Sequence, residues 1–298
     1  MKNIMIIVIL VSMLMPVFAR DVEPVSNVEL IGYSTEGRPI TAVHYGNKNS
    51  DTALILMGGI HGLYESNNVD LMREFKEYFA SVDLDISLYI IENINPDSFY
   101  TDADLDYQYY DADGYDNDDN KIGVVWSRFN ANGVDLNRNW DTASWKPDVT
   151  YTMLREGAGG SAPMSEVETR VVADFLLHKS TQYENLLVVN YHSFTHSRTE
   201  TGMAQPSYTG DWQNPEINAF ANEFALIYSE NNDRAQYLRA WTRYEVPGEF
   251  LNWAGNNNIS AIDVEVANND SIFEVQSWGK THYEQHLAAV IAVVEALN

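Results

Sequence analysis

Two histidines occupy positions from which they could bind a metal ion. His61 and His192 each follow a predicted buried strand and are flanked by small or polar residues. One such histidine is more often structural than functional. Glu65 lies close to His61 in the sequence, and two imidazoles with one carboxylate can bind zinc while leaving a fourth position open for water. Because the chain contains no cysteine, its metal ligands must be His, Asp or Glu, and these three residues predict a zinc site.

A second polar stretch, residues 133–140, carries Asp135, Asn137, Arg138 and Asn139. An arginine between two asparagines offers a planar fork and amide donors, which suit the binding of a carboxylate. On this stretch alone, an ion pair between Arg138 and Asp135 that only fixes a loop is an equal alternative.

These residues must be positioned by an alternation of strands and helices. Apolar runs and period-two patterns predict strands at 28–33, 40–45, 52–57, 86–91, 186–190 and 260–266. Helical spacing predicts helices from about 69 to 79, from a Ser165–Glu168 capping box to about 179, around 217–227, and over 282–297. This order indicates an α/β sheet covered by helices on both faces, in which functional groups gather beyond the strand ends. His61, His192 and Glu265 fall at such ends.

Four of the remaining five histidines receive structural assignments. His44 lies inside a predicted strand, whereas His178, His282 and His286 lie on predicted helices and are expected at surfaces or helix ends. The fifth, His196, carries no separate assignment.

Residues 1–19 have the pattern of a secretory signal peptide. Lys2 precedes an apolar run that is too short for a comfortable membrane span, and Ala19 ends a plausible cleavage site. A retained anchor is the alternative. We therefore expect one domain over 20–298, secreted or periplasmic, with no membrane contact after cleavage and no activation propeptide. The absence of cysteine favours a bacterial envelope or extracellular protein held together by its core.

The charge balance is strongly acidic, with 18 Lys and Arg against 43 Asp and Glu. Binding to nucleic acid is disfavoured by such a field. Residues 101–120 concentrate the aspartates, and Asp116, Asp118 and Asn120 could ligate calcium. The segment lacks the glycine and the glutamate of a regular calcium loop, so a solvated acidic insertion is the favoured interpretation.

Seven short motifs, taken together, resemble the zinc carboxypeptidases of the carboxypeptidase A type. In chain order they are Glu-Gly-Arg-Pro-Ile at 36–40, Gly-Gly-Ile-His-Gly at 58–62, Asn-Pro-Asp at 95–97, Gly-Val-Asp-Leu-Asn-Arg-Asn-Trp at 133–140, Ser-Glu-Val-Glu-Thr at 165–169, Tyr-His-Ser-Phe at 191–194 and Asp-Val-Glu-Val at 263–266. The motif at 133–140 is the most specific. The resemblance implies a three-layer α/β/α sandwich around a mixed, mostly parallel eight-stranded sheet.

The resemblance also implies a role for each matching residue. His61, Glu65 and His192 would bind one zinc ion, and Asp135 would orient His61. Glu265 would act as the general base and then protonate the leaving amine.

The substrate contacts follow from the same resemblance. Asn137 and Arg138 would hold the C-terminal carboxylate of a peptide, and Arg128 would stabilise the oxyanion. Tyr244 would cap the substrate. Leu251 falls at the specificity position, where an apolar side chain favours neutral or apolar C-terminal residues.

One departure from the family concerns the first two ligands. The family spaces them as His-x-x-Glu, whereas His61 and Glu65 are separated by one more residue, so that Tyr64 falls at the expected carboxylate position. Residues four apart share a helix face, and a bulge at Gly62 could also absorb the extra residue. A relative that has lost zinc binding is the alternative.

Together these features predict a secreted, monomeric zinc metallocarboxypeptidase that hydrolyses the C-terminal peptide bond of peptides. Two other functions stay open. One is a zinc amidohydrolase that acts on cell-wall (murein) peptides or acyl amino acids, and the other is a non-catalytic protein that binds carboxylates.

Overall fold

The computed structural model describes residues 27–99, 128–148, 157–194, 199–203, 215–238, 246–267 and 271–298. Within these ranges an eight-stranded mixed sheet forms the centre of the fold. None of the described helices combines the length and hydropathy needed to cross a membrane. The predicted signal peptide and the acidic segment 101–120 lie outside the described residues, so both stay predictions.

The strands follow the order β1-β2-β4-β3-β5-β8-β6-β7 across the sheet. Their bounds are Val28–Tyr33 (β1), Pro39–Gly46 (β2), Thr52–Met57 (β3), Ser87–Ile91 (β4), Asn185–Phe194 (β5), Thr199–Met203 (β6), Ala235–Tyr237 (β7) and Ser260–Ala267 (β8). The four central strands β4, β3, β5 and β8 run parallel. Their carboxyl ends therefore meet at one edge of the sheet.

In the described part of the chain, five α-helices cover the two faces of the sheet. They span Ser66–Phe79 (α1), Val167–Gln182 (α2), Pro215–Glu230 (α3), Phe250–Asn256 (α4) and His282–Leu297 (α5). Helices α1, α3 and α5 pack on one face, and α2 and α4 pack on the other, each over a separate apolar cluster. This arrangement confirms the predicted three-layer α/β/α sandwich.

The alternation of side chains along β5 and β8 determines which face carries polar groups. Leu187, Val189 and Tyr191 point to the layer of α1, α3 and α5. Val188 points to the opposite layer, and a strand period of two places Asn190 and His192 on that same side. The sequence predicted that β5 would end before His192, but the strand continues to Phe194, so His192 lies within it.

The capping box predicted at Ser165 and Glu168 is wrong. Glu166 precedes α2 without a side-chain cap, and the carboxylate of Glu168 instead accepts hydrogen bonds from Thr35 N (2.8 Å) and Asn130 Nδ2 (3.1 Å). Donors that are distant in the sequence therefore bind the Glu168 carboxylate, which the local pattern had assigned to the helix cap. A capping box that the sequence analysis missed begins α5, where Thr281 and Glu284 satisfy each other's backbone N–H groups.

A surface position for His282 and His286 is also wrong, because both side chains are fully buried, but the alternative of a helix end is correct for His282, the first residue of α5. Nδ1 of His286 forms a hydrogen bond with Tyr228 Oη (2.5 Å), while its Nε2 has no partner among the described residues. Burial and the neighbouring His282 lower the pKa of His286 from its usual 6.5 to about 3. His178, by contrast, is exposed as predicted.

His286 should make folding stability depend on pH. As the pH falls below 6.5, His286 becomes protonated in the unfolded chain, whereas in the folded chain it stays neutral until about pH 3. The free energy of unfolding therefore decreases as the pH falls through this window. Between pH 7.5 and pH 5 we expect this one group to cost about 2 kcal/mol of unfolding free energy. Urea unfolding of wild type and His286→Gln at both values measures the difference.

The exposed His178→Gln variant is the matched control and should show the wild-type pH dependence. An equal loss of stability in wild type and in His286→Gln would contradict the assignment.

Candidate metal centre

His61, Glu65 and His192 come together at the carboxyl edge of the sheet. Nδ1 of His61 lies 2.6 Å from Glu65 Oε1 and 3.3 Å from Nδ1 of His192, which in turn lies 3.3 Å from Glu65 Oε2. All three residues are at most 4% exposed. Among the described residues they form the one group of three or more His, Asp and Glu side chains whose ligand atoms lie within 4.8 Å of one another.

The longer spacing between His61 and Glu65 is accommodated by a tight turn. Residues Gly62–Glu65 form a short 3₁₀ helix that leads directly into α1. Gly62 begins it with a φ of 53°, a conformation that glycine adopts without steric cost. Leu63 N donates to Ser98 Oγ (2.9 Å) and fixes the turn. The carboxylate at position 65 therefore reaches His61, and the predicted adjustment at Gly62 is present.

The buried charges of this group stabilise one another. Burial alone would raise the pKa of Glu65, but the neighbouring imidazoles of His61 and His192 lower it well below its usual range. Burial would lower the pKa of His192, but hydrogen bonding to Glu65 raises it to about 9. The contact between Glu65 and His192 thus favours the charged form of each group.

The donor set fits zinc. Two imidazole nitrogens and one carboxylate are ligands of catalytic zinc sites, and nitrogens at ordinary zinc distances in a tetrahedron lie about 3.3 Å apart. The 3.3 Å between the two Nδ1 atoms matches this value. Both histidines also keep their Nε2 atoms for partners that fix the ring orientation, as metal-binding histidines commonly do.

Asp135 is the partner of His61. Its Oδ1 lies 3.2 Å from His61 Nε2, and its Oδ2 accepts from Arg128 Nε at 2.8 Å. Burial would raise the pKa of Asp135, but Arg128 and His61 keep it well below its usual range. The ion pair that the sequence analysis considered between Asp135 and Arg138 is not formed, because Asp135 pairs with Arg128 instead.

Arg128 lies directly beside the metal group. Its Nη2 is 2.7 Å from His61 Nε2, and its Nη1 is 3.7 Å from Glu65 Oε1. The ring of Tyr64 faces the guanidinium, with its centroid 5.5 Å from Cζ, at which distance a cation–π attraction operates. The extra residue of the ligand turn therefore contacts Arg128.

The partners of His192 were missed by the sequence analysis. Asn190 Nδ2 lies 2.9 Å from His192 Nε2 and donates to Asp263 Oδ1 at 2.8 Å. Asp263 Oδ2 itself lies 3.9 Å from His192 Nε2. The spacing Asn190-x-His192 could have revealed the first of them, because residues two apart on a strand share a face.

Asn68 and Ser193 also support Glu65 and were not predicted. Ser193 N donates to Glu65 Oε2 at 3.0 Å, and Asn68 Nδ2 lies 3.4 Å from the same oxygen. Both residues are buried. Their hydrogen bonds hold the carboxylate in place, and no local pattern in the sequence marks them.

The segment that carries Asn137 and Arg138 is anchored from several sides. Asp135 caps a 3₁₀ helix, Leu136–Arg138, by accepting from Asn137 N (2.9 Å). Asn137 Oδ1 accepts from Phe250 N at the start of α4 (2.9 Å), and Trp140 packs against Phe250 with ring centroids 5.1 Å apart. This contact fixes α4 against the segment.

Arg138 is buried, and no acidic side chain in the described part of the chain forms an ion pair with it. It is 3% exposed, its Nη1 donates to the carbonyl oxygen of Asn137 (2.7 Å), and its Nε has no partner among the described residues. Buried guanidinium groups are normally paired, so this arginine has the character of an anion-binding group. Asn139, by contrast, is structural, since its amide bonds to Gly159, Ala162, Ser165 and Glu166.

The remaining predicted site residues differ in position. Glu265 lies on β8, in register with His192 on the neighbouring parallel strand, and is partly buried. Leu251 lies on α4 and packs against the apolar cluster of α2 and α4. Tyr244 lies outside the described residues, so its role stays a prediction.

Comparison with known proteins gives relatives of two kinds. The chain is 26% identical to carboxypeptidase B of Astacus astacus over 184 residues, which cover 59% of this chain and 57% of that protein. It is 30% identical to murein peptide amidase A of Escherichia coli K12 over 146 residues, or 46% of this chain and 50% of that protein. The chain thus spans little more than half the length of these relatives.

Solved structures share the fold. The carboxypeptidase A of Helicoverpa armigera superposes with a TM-score of 0.61 at 14% identity, over 91% of this chain and 68% of that one. The murein-tripeptide amidase of Escherichia coli O157 gives a TM-score of 0.50 at 21% identity, over 91% of both chains. The family model for zinc carboxypeptidase matches residues 13–285. The chain therefore belongs to the zinc carboxypeptidase family.

Proposed function

We propose that this chain is a zinc-dependent carboxypeptidase that hydrolyses the C-terminal peptide bond of a peptide. The observation that carries the proposal is the pairing of two features in one region. His61, Glu65 and His192 form a donor set for zinc, and the segment after Asp135 carries the buried Arg138, whose Nε has no partner among the described residues. A metal site that polarises an amide and a cation that binds a free carboxylate are what such a reaction requires.

Zinc bound by these ligands would supply a Lewis acid and lower the pKa of a water molecule to near neutrality. Glu265, beside His192 on the adjacent strand, would accept a proton from that water and deliver it to the leaving amine. Asp135 would keep the His61 ring oriented through Nε2. The reaction would need no covalent intermediate on the protein.

Substrate binding would depend on Arg138 and Asn137. A guanidinium held away from water can bind a carboxylate through two parallel hydrogen bonds, which fixes the C-terminal residue against the metal site. Arg128 would stabilise negative charge that develops on the carbonyl oxygen, and Tyr244 would close over the bound residue. Leu251 favours an aliphatic side-chain stem in the leaving residue, in line with the prediction of a neutral or apolar preference.

We also propose that the protein acts outside the cytoplasm as a monomer. The signal-like residues 1–19 and the absence of cysteine support export. N-terminal sequencing of the exported protein would test cleavage after Ala19.

A murein peptide is the second candidate substrate. The 30% identity with murein peptide amidase A of Escherichia coli K12 favours it, and murein peptides also end in a free carboxylate. The chemistry at the metal would be the same. Turnover of a blocked dipeptide compared with that of a murein tripeptide separates the two substrates.

Replacing Asp135 should weaken zinc binding. Asp135→Asn keeps the size of the side chain but removes the charge beside His61 Nε2, and such partners of metal-binding histidines are worth about 10- to 100-fold in metal affinity. Competition with a zinc chelator measures the change. Asp174→Asn, an exposed carboxylate on α2, is the matched control. Equal zinc affinity in wild type and Asp135→Asn would contradict the role.

Replacing Glu265 should remove the proton acceptor and leave the metal site intact. We expect Glu265→Gln to lower kcat by about 10²- to 10⁴-fold, the usual contribution of a general base, with one zinc still bound per chain. Steady-state kinetics on a blocked dipeptide and metal analysis of the same sample give both numbers. Near-full activity of Glu265→Gln would contradict the proposed role of Glu265 as general base.

A further inference from the structure

Tyr64, the residue that lengthens the turn between the first two candidate ligands, is not used by the proposed reaction. The chain is fixed on both sides of it. Leu63 N donates to the buried Ser98 Oγ (2.9 Å), and Oε1 of Glu65 lies 2.6 Å from Nδ1 of His61. The half-buried side chain of Tyr64 is therefore held beside the metal ligands.

The guanidinium group of Arg128 is fixed along one edge by two described partners. Its Nε donates to Asp135 Oδ2 (2.8 Å), and its Nη2 lies 2.7 Å from His61 Nε2. Among the described residues no acceptor lies at hydrogen-bonding distance from Nη1, which is 3.7 Å from Glu65 Oε1. These two contacts engage Nε and Nη2 and leave the position of Nη1 to other contacts.

The aromatic ring of Tyr64 supplies a contact of a different kind. Cζ of Arg128 lies over this ring, 5.5 Å from its centroid. Only 13% of the Arg128 side chain is exposed, and the attraction between a cation and an aromatic face is stronger where water is excluded. The ring of Tyr64 therefore restrains the guanidinium group in addition to its hydrogen bonds.

The position of Nη1 determines what Arg128 can do in the proposed reaction. Negative charge that develops on a carbonyl oxygen is stabilised by donors within about 2.7–3.1 Å of it. Asp135 and His61 already engage the other donor nitrogens of Arg128, so Nη1 is the donor available for this oxygen. It borders the carboxylate of the candidate ligand Glu65. A displacement of about 1 Å would be enough to lose much of the stabilisation.

We propose that Tyr64 is a positioning residue for Arg128, and that its ring holds Nη1 beside the metal ligands, where it stabilises the developing oxyanion. This inference rests on the proposed carboxypeptidase function and adds a residue to it. The extra residue between His61 and Glu65 is then a working part of the site and not merely a tolerated insertion.

The test separates the ring of Tyr64 from its hydroxyl group. Tyr64→Leu removes the aromatic face, whereas Tyr64→Phe keeps it. With kcat expressed per zinc-bound chain, we expect Tyr64→Leu to lower kcat on a blocked dipeptide by about five- to thirtyfold, the range of a partly desolvated cation–π contact. KM should stay within about twofold, because the oxyanion exists only in the transition state. Tyr64→Phe should keep kcat within about twofold of wild type.

Tyr33→Leu is the matched control, since Tyr33 is an exposed tyrosine on the edge strand β1. It should leave kcat and KM at the wild-type level. Wild-type kcat in Tyr64→Leu, a loss confined to KM, or equal losses in Tyr64→Leu and Tyr64→Phe would each overturn the inference. Tyr64→Met, which also lacks the ring, replaces Tyr64→Leu if the latter folds poorly.

A double-mutant cycle tests the contact without any turnover. Urea unfolding would be measured for wild type, Tyr64→Leu, Arg128→Met and the double variant. Tyr64→Leu should raise the equilibrium constant of unfolding by a factor that is about five- to thirtyfold larger when Arg128 is present than in Arg128→Met. Equal factors in the two backgrounds would overturn the inference.

The two measurements separate the inference from the function on which it rests. Zinc-dependent cleavage by wild type, together with equal unfolding factors in the cycle, would leave the carboxypeptidase function standing and remove the role of Tyr64. If wild type cleaves no peptide, the proposed function is wrong, and the cycle alone decides whether Tyr64 holds Arg128.

Discussion

The buried carboxylate of Asp135 connects the parts of the site. One oxygen lies beside His61 Nε2 and also accepts from Asn137 N, while the other accepts from Arg128 Nε. A charge with no exposure to solvent must be satisfied from within the protein, and Arg128 and His61 do this for Asp135. His61, Arg128 and the turn at 136–138 are therefore held by a single side chain. Its loss would disturb all three together.

The spacing of the first two ligands shows how the fold tolerates a departure from the family pattern. An extra residue between His61 and Glu65 would misdirect the carboxylate if the chain entered α1 directly. The 3₁₀ turn that begins at Gly62 absorbs it, and Ser193 and Asn68 then hold the carboxylate from two further elements. Tyr64 turns toward Arg128 instead of the metal site. The three candidate ligands thus lie together although the spacing of the first two differs from the expected pattern.

The sequence could predict those strands and helices whose local pattern of apolar residues is enough to determine their bounds. Strand β3 and helix α5 have the predicted bounds, because a continuous apolar run and a clear helical period are local signals. Strands β6 and β7 and helix α4 were not predicted. Thr199–Met203 is short and polar and pairs with β8, whereas α4 has seven residues, including Gly255, and is stabilised by packing on Trp140.

The residues of the candidate site likewise divide into those with a local sequence signal and those placed only by the fold. His61, His192 and Glu265 could be found because parallel strands bring their carboxyl ends to one edge. Glu65 and Arg138 could be found from residue type and spacing, and the family resemblance supplied the roles of Asp135 and Arg128. The contact of Asn190 with Asp263 depends on which side chains face each other across the sheet, and only the spacing of two between Asn190 and His192 is a local signal. His282 and His286 were misplaced, since a helical histidine gives no sign of whether its face is covered.

The central claim is that one zinc ion is bound by His61, Glu65 and His192. The most direct measurement is an anomalous difference map from crystals of the purified protein, recorded at the zinc absorption edge. The account predicts one strong peak at about 2.0–2.2 Å from the two Nδ1 atoms and from a Glu65 oxygen. A peak at other residues, or a map without a peak in crystals grown with zinc, would contradict it.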